Sequence, residues 1–235
     1  LLEEIGISAY KIASGDITNF PLLKKVSKKQ KPIFLSTGAS NINEIKEAVR
    51  VIEKEGNKKI AILHCILAYP TPDQNANLLS ISYLKEKFPN NIIGISDHSI
   101  ADAAITIPTA AIAIGAKIIE KHFTIFSKKL KECDHRLSAN PIDFKILVSN
   151  ARIIDKALGV KEKKIFNCER KSYTQMRRSL VANTDLKKGH KINEKDIGIK
   201  RPGGGLHPKY FDKLIGKKLS KDMKIDEKFS FHKIA

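Results

Sequence analysis

Residues 94–124, GISDHSIADAAITIPTAAIAIGAKIIEKHFT, contain the pattern that decides the fold of this chain. Two short apolar runs rich in isoleucine each end at a histidine, His98 and His122, and each histidine has a charged neighbour. The apolar segment between the runs carries Asp102 and Pro108, which suit a packed helix better than a membrane span. A strand, a helix and a second strand predict a βαβ unit of a parallel sheet. Because neighbouring parallel strands lie about 4.8 Å apart, we expect both histidines at the same edge of that sheet.

The same alternation of strands and helices extends along the chain in both directions. Residues 42–56 carry apolar side chains at three- and four-residue spacing and end at Gly56, which predicts a helix. Residues 140–159 predict another helix, with Asn140 as its N-cap and Gly159 just past its end. We expect the buried face of this second helix to consist of Phe144, Leu147, Ala151, Ile154 and Leu158. The predicted strands lie at residues 9–14, 32–38, 60–65, 92–99 and 117–123.

Five strand–helix units are compatible with two α/β architectures, an open doubly wound sheet and a (β/α)₈ barrel. Each predicted strand ends in polar residues, and a (β/α)₈ barrel gathers its functional site at these C-terminal strand ends. The strand ends therefore favour the barrel. Because five strands cannot close a barrel, we expect three further strands upstream and an N-terminally incomplete chain. The methionines agree with this expectation, since the only two are Met176 and Met223.

The character of the sequence changes after residue 160. Residues 161–173 are charged and weakly patterned, which predicts a linker. Residues 174–235 consist of short strand-like pieces separated by glycine, asparagine and proline, which predicts a compact, mostly-β module. We thus expect three parts: residues 1–160 as part of a barrel, then the linker, then the module.

The composition argues against several classes of protein. The 235 residues are 42% hydrophobic, enough for one sizeable core and a small second domain. No apolar run of about 18 residues lacks charges, and no secretory signal is recognisable, so we expect no membrane partner. The three cysteines, Cys65, Cys133 and Cys168, are widely separated. This spacing fits a reducing cytoplasm better than a disulfide framework or a zinc ribbon.

The net charge of +18 is concentrated towards the end of the chain, where residues 161–235 carry 21 Lys and Arg against nine Asp and Glu. Such a surface could bind nucleic acid. However, the basic residues are not interleaved with the aromatic side chains that stack on single-stranded bases. The pattern therefore favours a lysine-rich, solvated surface, with a nucleic-acid partner as the alternative.

Several strand ends carry side chains suited to binding metals and anions. Two imidazoles at one sheet edge form a partial metal site whose remaining positions are open to water and substrate. Lys11 and Ser14 lie near the end of the first predicted strand and Ser36 near the end of the second, just before a helix. Ammonium, hydroxyl and helix amide groups at these strand ends suit a phosphorylated or carboxylated ligand. Tyr69, in the turn after the third predicted strand, could hydrogen-bond a sugar or pack under a loop, and Asp134 lies in the loop after the last predicted strand. Core histidines, ordinary helix capping and solvated loop residues are the alternatives that these positions leave open.

A resemblance to the sialic acid synthase family rests on seven motifs that occur in family order. They are KIASGD, STGAS, LHC…YPTP, GISDHS, IEKHFT, DH..S..P and RRSL…KRPGGGL.P…IG. Members of the family are N-acetylneuraminate synthases and related nonulosonic acid synthases. The resemblance implies a partial TIM (β/α)₈ barrel, about strands four to eight, followed by a small antifreeze-like (SAF) domain. It also implies condensation of phosphoenolpyruvate with N-acetylmannosamine or a bacterial diacetamido-dideoxy hexose, using Mn²⁺ or Mg²⁺.

The same resemblance assigns roles to five residues of the barrel part. His98 and His122 would be the metal ligands, and the metal would polarise the aldehyde oxygen of the open-chain sugar. Lys11, Ser14 and Ser36 match positions that hold the phosphate and carboxylate of phosphoenolpyruvate. Lys11 is counted with the two histidines as catalytic.

Three further positions match residues that face the amino sugar: Tyr69, Asp134 and Arg201. In the family, the SAF domain presents its arginine to the barrel of the partner subunit, which implies a domain-swapped homodimer. Two departures from the family pattern leave the two histidines intact but weaken any assignment of the sugar. Leu67 stands where an asparagine is common, and Cys133 stands where the loop usually has proline.

An alternative of another class is a non-catalytic module whose basic β domain binds carbohydrate or nucleic acid. It predicts salt-sensitive binding without metal dependence. It gives no reason for Lys11, His98 and His122 to occur together, so the synthase is the leading hypothesis. We expect the 235-residue chain to be inactive by itself, because five strands leave a barrel open.

Overall fold

In a computed structural model of the chain, residues 2–100, 106–125 and 133–235 are described. The chain divides into two compact units, Leu1–Val160 and Lys161–Ala235. Each unit has a hydrophobic core of its own. No helix in the described ranges is long and apolar enough to cross a membrane.

The first unit is built on one five-stranded sheet in which all strands run parallel. Strand order follows chain order, which confirms the predicted series of strand–helix units. Because the order is sequential, successive strand ends lie side by side along one edge. The strands are β1 (Tyr10–Ile12), β2 (Ile33–Ser36), β3 (Ile60–Cys65), β4 (Ile92–Asp97) and β5 (Ile119–Lys121).

The helices of the first unit follow the predicted pattern. The prediction for residues 42–56 is confirmed by α3 (Ile42–Lys54). The Asn41 side chain caps the first amides of α3, and Glu44 caps Asn41 in return, while Gly56 after the helix has a φ of +83°. The other helices of this unit are α1 (Leu2–Ile5), α2 (Phe20–Ser27), α4 (Leu79–Lys87), α5 (Thr106–Ile114) and α6 (Pro141–Leu158). Pro108 lies in the first turn of α5, and Asp102 lies outside the described residues.

The sheet and its helices share one core. All six residues of β3 are buried, as expected for a parallel strand that is covered on both faces. Strand residues such as Leu35 and Ile62 pack with helix residues such as Leu23 and Ile52, and all four are fully buried. The core therefore holds the strand ends at fixed positions, and these ends carry the predicted site residues.

Helix α6 begins at Asn140 and ends before Gly159, as predicted. Its predicted buried face is wrong over most of its length, because only Leu147 is buried. The physical reason is its place in the fold: α6 follows β5, the edge strand, and packs mainly against α5. Of the other predicted face residues, Phe144, Ala151 and Ile154 are half-buried and Leu158 is exposed.

The second unit is a small β-rich module. Strands β6 (Ser179–Ala182) and β7 (Ile197–Lys200) pair antiparallel, and isolated bridges join later segments to them and to each other. Leu180, Leu214 and Phe229 are fully buried at its centre. Its helices are α7 (Arg170–Met176) and α8 (Phe211–Leu214). Short 3₁₀ helices in the described residues lie at Ser14–Asp16, Asp73–Asn75, Cys133–Arg136, Asn167–Glu169, Glu194–Asp196, Pro208–Tyr210 and Phe231–Lys233.

Part of the segment predicted as a linker, residues 161–173, is helical. It contains a 3₁₀ turn and the first half of α7. Lysine, arginine, glutamine and methionine favour helix even without an apolar stripe. The Arg177 guanidinium also lies 4.0 Å from the ring of Tyr173, which stabilises the end of α7.

Candidate functional site

Three aromatic rings meet at the C-terminal edge of the sheet. His98 follows the last residue of β4 and His122 follows the last residue of β5, so they extend from adjacent strands. Their ring centroids are 5.3 Å apart, at an interplanar angle of 65°. The ring of Tyr69 lies 4.1 Å from that of His98 and 5.9 Å from that of His122. The structure thus brings together three residues that separate sequence motifs singled out.

Hydrogen bonding fixes which nitrogen of His98 carries a proton. Nδ1 of His98 lies 3.0 Å from the carbonyl oxygen of Ile66. Because a carbonyl oxygen can only accept, Nδ1 is the donor, and the neutral ring has its lone pair at Nε2. Sγ of Cys65 lies 3.8 Å from the same Nδ1. Burial lowers the pKa of His98, but the hydrogen bonds with Cys65 and Ile66 outweigh it and raise the pKa above its ordinary value.

The second imidazole has a similar partner. Nδ1 of His122 lies 3.5 Å from Oδ2 of Asp134, whose side chain is 54% exposed. A carboxylate also accepts, so this contact favours a proton on Nδ1 and a lone pair on Nε2. Metal-binding histidines are oriented in the same way, with one ring nitrogen bonded to a carbonyl or carboxylate and the other on the ion.

The two imidazoles fit a shared divalent ion as part of its ligand set. Within the described ranges, no group of three or more His, Cys, Asp or Glu side chains is placed to hold a metal. His98 and His122 would therefore supply two ligands, and water or substrate oxygens would complete the coordination. Such an open site leaves room for a substrate.

A buried ion pair joins β4 to β5 beside the imidazoles. Asp97 and Lys121 immediately precede His98 and His122 and are partners in the register of the sheet. Nζ of Lys121 lies 2.8 Å from Oδ2 of Asp97, and their side chains are 0% and 3% exposed. Nζ also donates to the carbonyl oxygen of Ser99 at 2.6 Å. Burial lowers the pKa of Lys121, although the charge of Asp97 opposes this shift.

Lys11 shows that the sheet is curled. Its Nζ lies 3.4 Å from Oε1 of Glu120, although β1 and β5 are the opposite edges of the sheet. The same Oε1 accepts a hydrogen bond of 2.8 Å from Oγ of Ser96 in β4. Side chains from the first, fourth and fifth strands therefore converge on the concave side of the sheet.

The ends of β1 and β2 hold hydroxyl groups close to backbone amides. The backbone nitrogen of Gly38 donates to Oγ of Ser14 at 2.9 Å. A Cβ at Gly38 would lie 2.8 Å from this oxygen and 3.0 Å from Sγ of Cys65, so any larger residue would force these side chains to shift. Oγ of Ser36 is buried and has no hydrogen-bond partner among the described residues. Because a buried unpaired hydroxyl costs roughly 1–3 kcal/mol, a ligand or water oxygen would be stabilised at Ser36.

Three further side chains contact the predicted residues at the strand ends, although the sequence prediction did not include them: Cys65, Ser96 and Glu120. Burial raises the pKa of the Cys65 thiol, but its hydrogen bonds, first with His98 and then with Ser14, outweigh burial and lower the pKa. Each of the three is the last or next-to-last residue of its strand. Strand-end position was the signal that could have identified them.

The remaining predicted residues lie outside the strands. Asp134 is part of the 3₁₀ helix that begins at Cys133. For Tyr69, burial raises the pKa of the phenol above its ordinary value. Leu67 is exposed, and its Cβ is among the atoms that crowd Gly38. Arg201 belongs to the second unit, where it directly follows β7 and is exposed.

Comparisons with known proteins match both units. The NeuB family model matches residues 1–163, and the SAF domain model matches residues 177–235. The chain is 44% identical over 227 residues to the protein MJ1065 of Methanocaldococcus jannaschii, covering 97% of this chain and 66% of that protein. It is 42% identical over 229 residues to the N,N'-diacetyllegionaminic acid synthase of Campylobacter jejuni, covering 97% of this chain and 67% of that protein. The chain thus spans about two thirds of the length of these relatives.

Solved structures support the fold. The spore coat polysaccharide biosynthesis protein SpsE of Bacillus subtilis superposes with a TM-score of 0.62 at 34% identity, covering 100% of this chain and 69% of that one. Together with the curled parallel sheet, this likeness confirms the predicted fold class, a partial TIM barrel followed by a SAF domain.

Proposed function

Because this chain belongs to the NeuB family, we propose that the full-length protein condenses phosphoenolpyruvate with an N-acetylated amino sugar. The products are a nonulosonic acid and phosphate. We propose N-acetylmannosamine or a bacterial diacetamido-dideoxy hexose as the sugar, and the name of the Campylobacter relative supports the second. The resemblance that the sequence motifs indicated is confirmed at the level of the family.

The observation that carries the proposal is the pairing of His98 and His122 at adjacent strand ends, 5.3 Å apart, with each Nδ1 facing an acceptor. A divalent ion, Mn²⁺ or Mg²⁺, held by these imidazoles would supply Lewis-acid polarisation of the aldehyde oxygen of the open-chain sugar. The carbonyl of Ile66 and the carboxylate of Asp134 orient the two rings and keep the Nε2 lone pairs available.

We assign Lys11, Ser14 and Ser36 to the phosphate and carboxylate of phosphoenolpyruvate. The ammonium group of Lys11 offers charge-assisted hydrogen bonds to an anion, and it is held near the concave side of the sheet by Glu120. The buried, unpaired hydroxyl of Ser36 gains a partner when an anionic oxygen binds.

We assign Tyr69, Asp134 and Arg201 to the amino sugar. Tyr69 contacts both imidazole rings, and Asp134 contacts His122. If the aldehyde of the sugar lies at the imidazoles, Tyr69 and Asp134 are close enough to hydrogen-bond the hydroxyl groups of the sugar. For Arg201, the support is the family resemblance together with the match of the SAF domain model. The proposal includes the domain-swapped homodimer in which Arg201 serves the barrel of the partner subunit.

The reaction forms one carbon–carbon bond and breaks one carbon–oxygen bond. C3 of phosphoenolpyruvate attacks the aldehyde carbon, and the aldehyde oxygen becomes a hydroxyl group by taking a proton. Water adds its oxygen to C2, and one of its protons balances the new hydroxyl group. The tetrahedral intermediate then loses phosphate from C2, which carries the second proton, and leaves a 2-keto acid.

We propose residues 1–160 as the barrel part, residues 161–173 as the linker and residues 174–235 as the SAF domain. The division into two units and the spans of the two family models support these boundaries. We further propose that the enzyme works in the cytoplasm.

The test is a Mn²⁺ titration of phosphate release. It compares the unsubstituted full-length protein with the two single variants His98→Ala and His122→Ala. Because each substitution removes a ligand that positions a charge for the transition state, we expect kcat to fall by about 100-fold or more. Binding of Mn²⁺, followed by calorimetry, should weaken in the same variants.

The matched control is His190→Ala, which removes a histidine of the second unit that pairs with Asp196. This variant should keep its activity and its metal response. Full activity in His98→Ala or His122→Ala would contradict the proposal. Salt-sensitive binding of polyanions without any metal-dependent turnover would support a binding module instead.

A further inference from the structure

We propose that Ser179 and Lys228 are positioning residues that hold the loop at residues 201–206 in one conformation and so fix the direction in which Arg201 is presented. This inference rests on the proposed function, in which Arg201 contacts the amino sugar. It extends the candidate site to Ser179, which lies in the RRSL motif without an assigned role, and to Lys228, which lies in no motif.

Ser179 joins the two ends of the loop through one side chain. Its Oγ donates to the carbonyl oxygen of Pro202 at 3.0 Å and accepts from the backbone nitrogen of Gly205 at 3.0 Å. Ser179 is fully buried at the start of β6. A hydroxyl that acts as donor and acceptor at once cannot be replaced by an alkyl side chain, because both backbone groups would lose their partner.

Lys228 covers the middle of the loop. Its Nζ donates to the carbonyl oxygen of Gly203 at 2.8 Å. Its aliphatic part passes so close to Gly205 that a Cβ there would lie 2.7 Å from Cβ of Lys228. Lys228 is itself fixed to β6 by a bridge with Val181. The lysine therefore connects the loop to the central strands of the domain through both its charge and its stem.

The three successive glycines have separate structural reasons, all of which serve this arrangement. Gly204 has a φ of +91°, which favours glycine. The backbone nitrogen of Gly203 donates to the carbonyl oxygen of Thr174 at 2.9 Å, and a Cβ at Gly203 would lie 2.8 Å from that oxygen. Gly205 is the residue on which Lys228 packs. The glycines let the backbone approach its neighbours closely enough to be held.

A loop held at so many points presents its first residue in a defined direction. Within the described residues, the exposed Arg201 side chain forms no hydrogen bond or ion pair. Its placement therefore depends on the backbone, which Ser179 and Lys228 hold. Preorganising a binding group in this way improves affinity because less freedom is lost when the ligand binds.

The experiment compares Ser179→Ala, Lys228→Met and Lys228→Arg in the full-length protein, with Arg201→Ala as a reference. Lys228→Met keeps the stem but removes the hydrogen bond to Gly203, whereas Lys228→Arg can still donate. We expect Ser179→Ala and Lys228→Met to raise the KM for the sugar by about three- to tenfold, the size of one or two lost hydrogen bonds. The KM for phosphoenolpyruvate should change little. Lys228→Arg should keep the KM for the sugar close to that of the unsubstituted protein.

The matched control is Lys224→Met, which removes a surface ion pair with Asp185 from the same domain. It should leave both KM values unchanged. Thermal unfolding of each variant checks that the domain still folds, and Lys228→Met carries the test if Ser179→Ala does not fold. If Arg201→Ala raises the sugar KM but folded Lys228→Met does not, the positioning role is wrong. If Arg201→Ala itself has no effect, the proposed role of Arg201 is wrong, and the inference falls with it.

Discussion

The buried pair of Lys121 and Asp97 gives the sharpest prediction about how the site is held. Lys121→Met removes an ammonium group whose Nζ lies 2.8 Å from Asp97 Oδ2, between side chains that are 0% and 3% exposed. The carboxylate then stays buried, and its close donors among the described residues are the hydroxyl and backbone amide of Ser99. Breaking a buried pair by removing one partner costs about 3–5 kcal/mol, because a charge is left uncompensated. A loss of this size corresponds to a fall in Tm of about 6–20 °C for a domain of 150–250 residues.

The assay is thermal and urea unfolding of the full-length protein, with Mn²⁺ affinity measured under native conditions. Because Asp97 and Lys121 precede the two imidazoles, we expect Mn²⁺ binding to weaken by about 10–100-fold, as for other groups that orient metal ligands. The double variant Asp97→Asn/Lys121→Met should recover much of the lost stability, since it leaves no unpaired charge.

The control for this prediction is Lys117→Met, which removes an exposed pair with Asp155 at 4.0 Å. An exposed pair contributes about 0–1 kcal/mol, so the control should change Tm little. The reasoning is refuted if Lys121→Met costs no more than Lys117→Met, or if the double variant is less stable than Lys121→Met alone.

Other predictions concern crowding, pH and the sugar. Gly38→Ala places a methyl group against Ser14 and should lower the free energy of unfolding in urea by about 1–3 kcal/mol. Gly15→Ala should lower it far less, because a Cβ at Gly15 would meet no atom of the described residues within 4 Å. Equal losses in the two variants would contradict the close packing at Gly38. Burial lowers the pKa of His64 from 6.5, so His64 stabilises the fold fully above pH 6.5 and loses this contribution as pH falls below it. The free energy of unfolding should therefore fall less between pH 7 and pH 5 in His64→Gln than in the unsubstituted protein. An unchanged pH profile would contradict this role of His64. Arg201→Ala should raise the KM for the sugar by about 10–100-fold, as for a lost charge-assisted hydrogen bond, while the KM for phosphoenolpyruvate changes little; equal effects on both substrates would argue against a sugar contact.

The parallel sheet could be predicted because its signal is local. Each strand and each helix boundary is encoded by a few neighbouring residues, as in the Asn41 cap and the Gly56 stop of α3. The proximity of His98 and His122 also followed from the sequence, because adjacent parallel strands place equivalent ends side by side. Local patterns and strand order together were sufficient for these features.

Contacts between distant strands could not be predicted in the same way. The pairing of Lys11 with Glu120 depends on the curl of the sheet, which no short segment encodes. The convergence of Cys65, Ser14 and Gly38 depends on close packing of three strand ends. Such contacts follow from tertiary geometry, so the sequence identified several site residues while missing the groups that orient them.

The buried face of α6 failed for a different reason. Apolar periodicity shows which side of a helix is able to be buried, but burial also needs a neighbouring element. Beside the edge strand β5, only Leu147 finds enough neighbours. Leu158, the exposed residue of the predicted face, has the right spacing but lacks the contacts.

The central claim is that His98 and His122 share one divalent ion through their Nε2 atoms. Pulsed EPR of Mn²⁺ bound to the full-length protein measures this directly, because it detects nitrogen nuclei coordinated to the ion. The structure predicts coupling to two histidine nitrogens, reduced to one in either His98→Ala or His122→Ala. Bound Mn²⁺ that shows no histidine coupling, or coupling to two nitrogens that persists in His98→Ala or in His122→Ala, would contradict the claim.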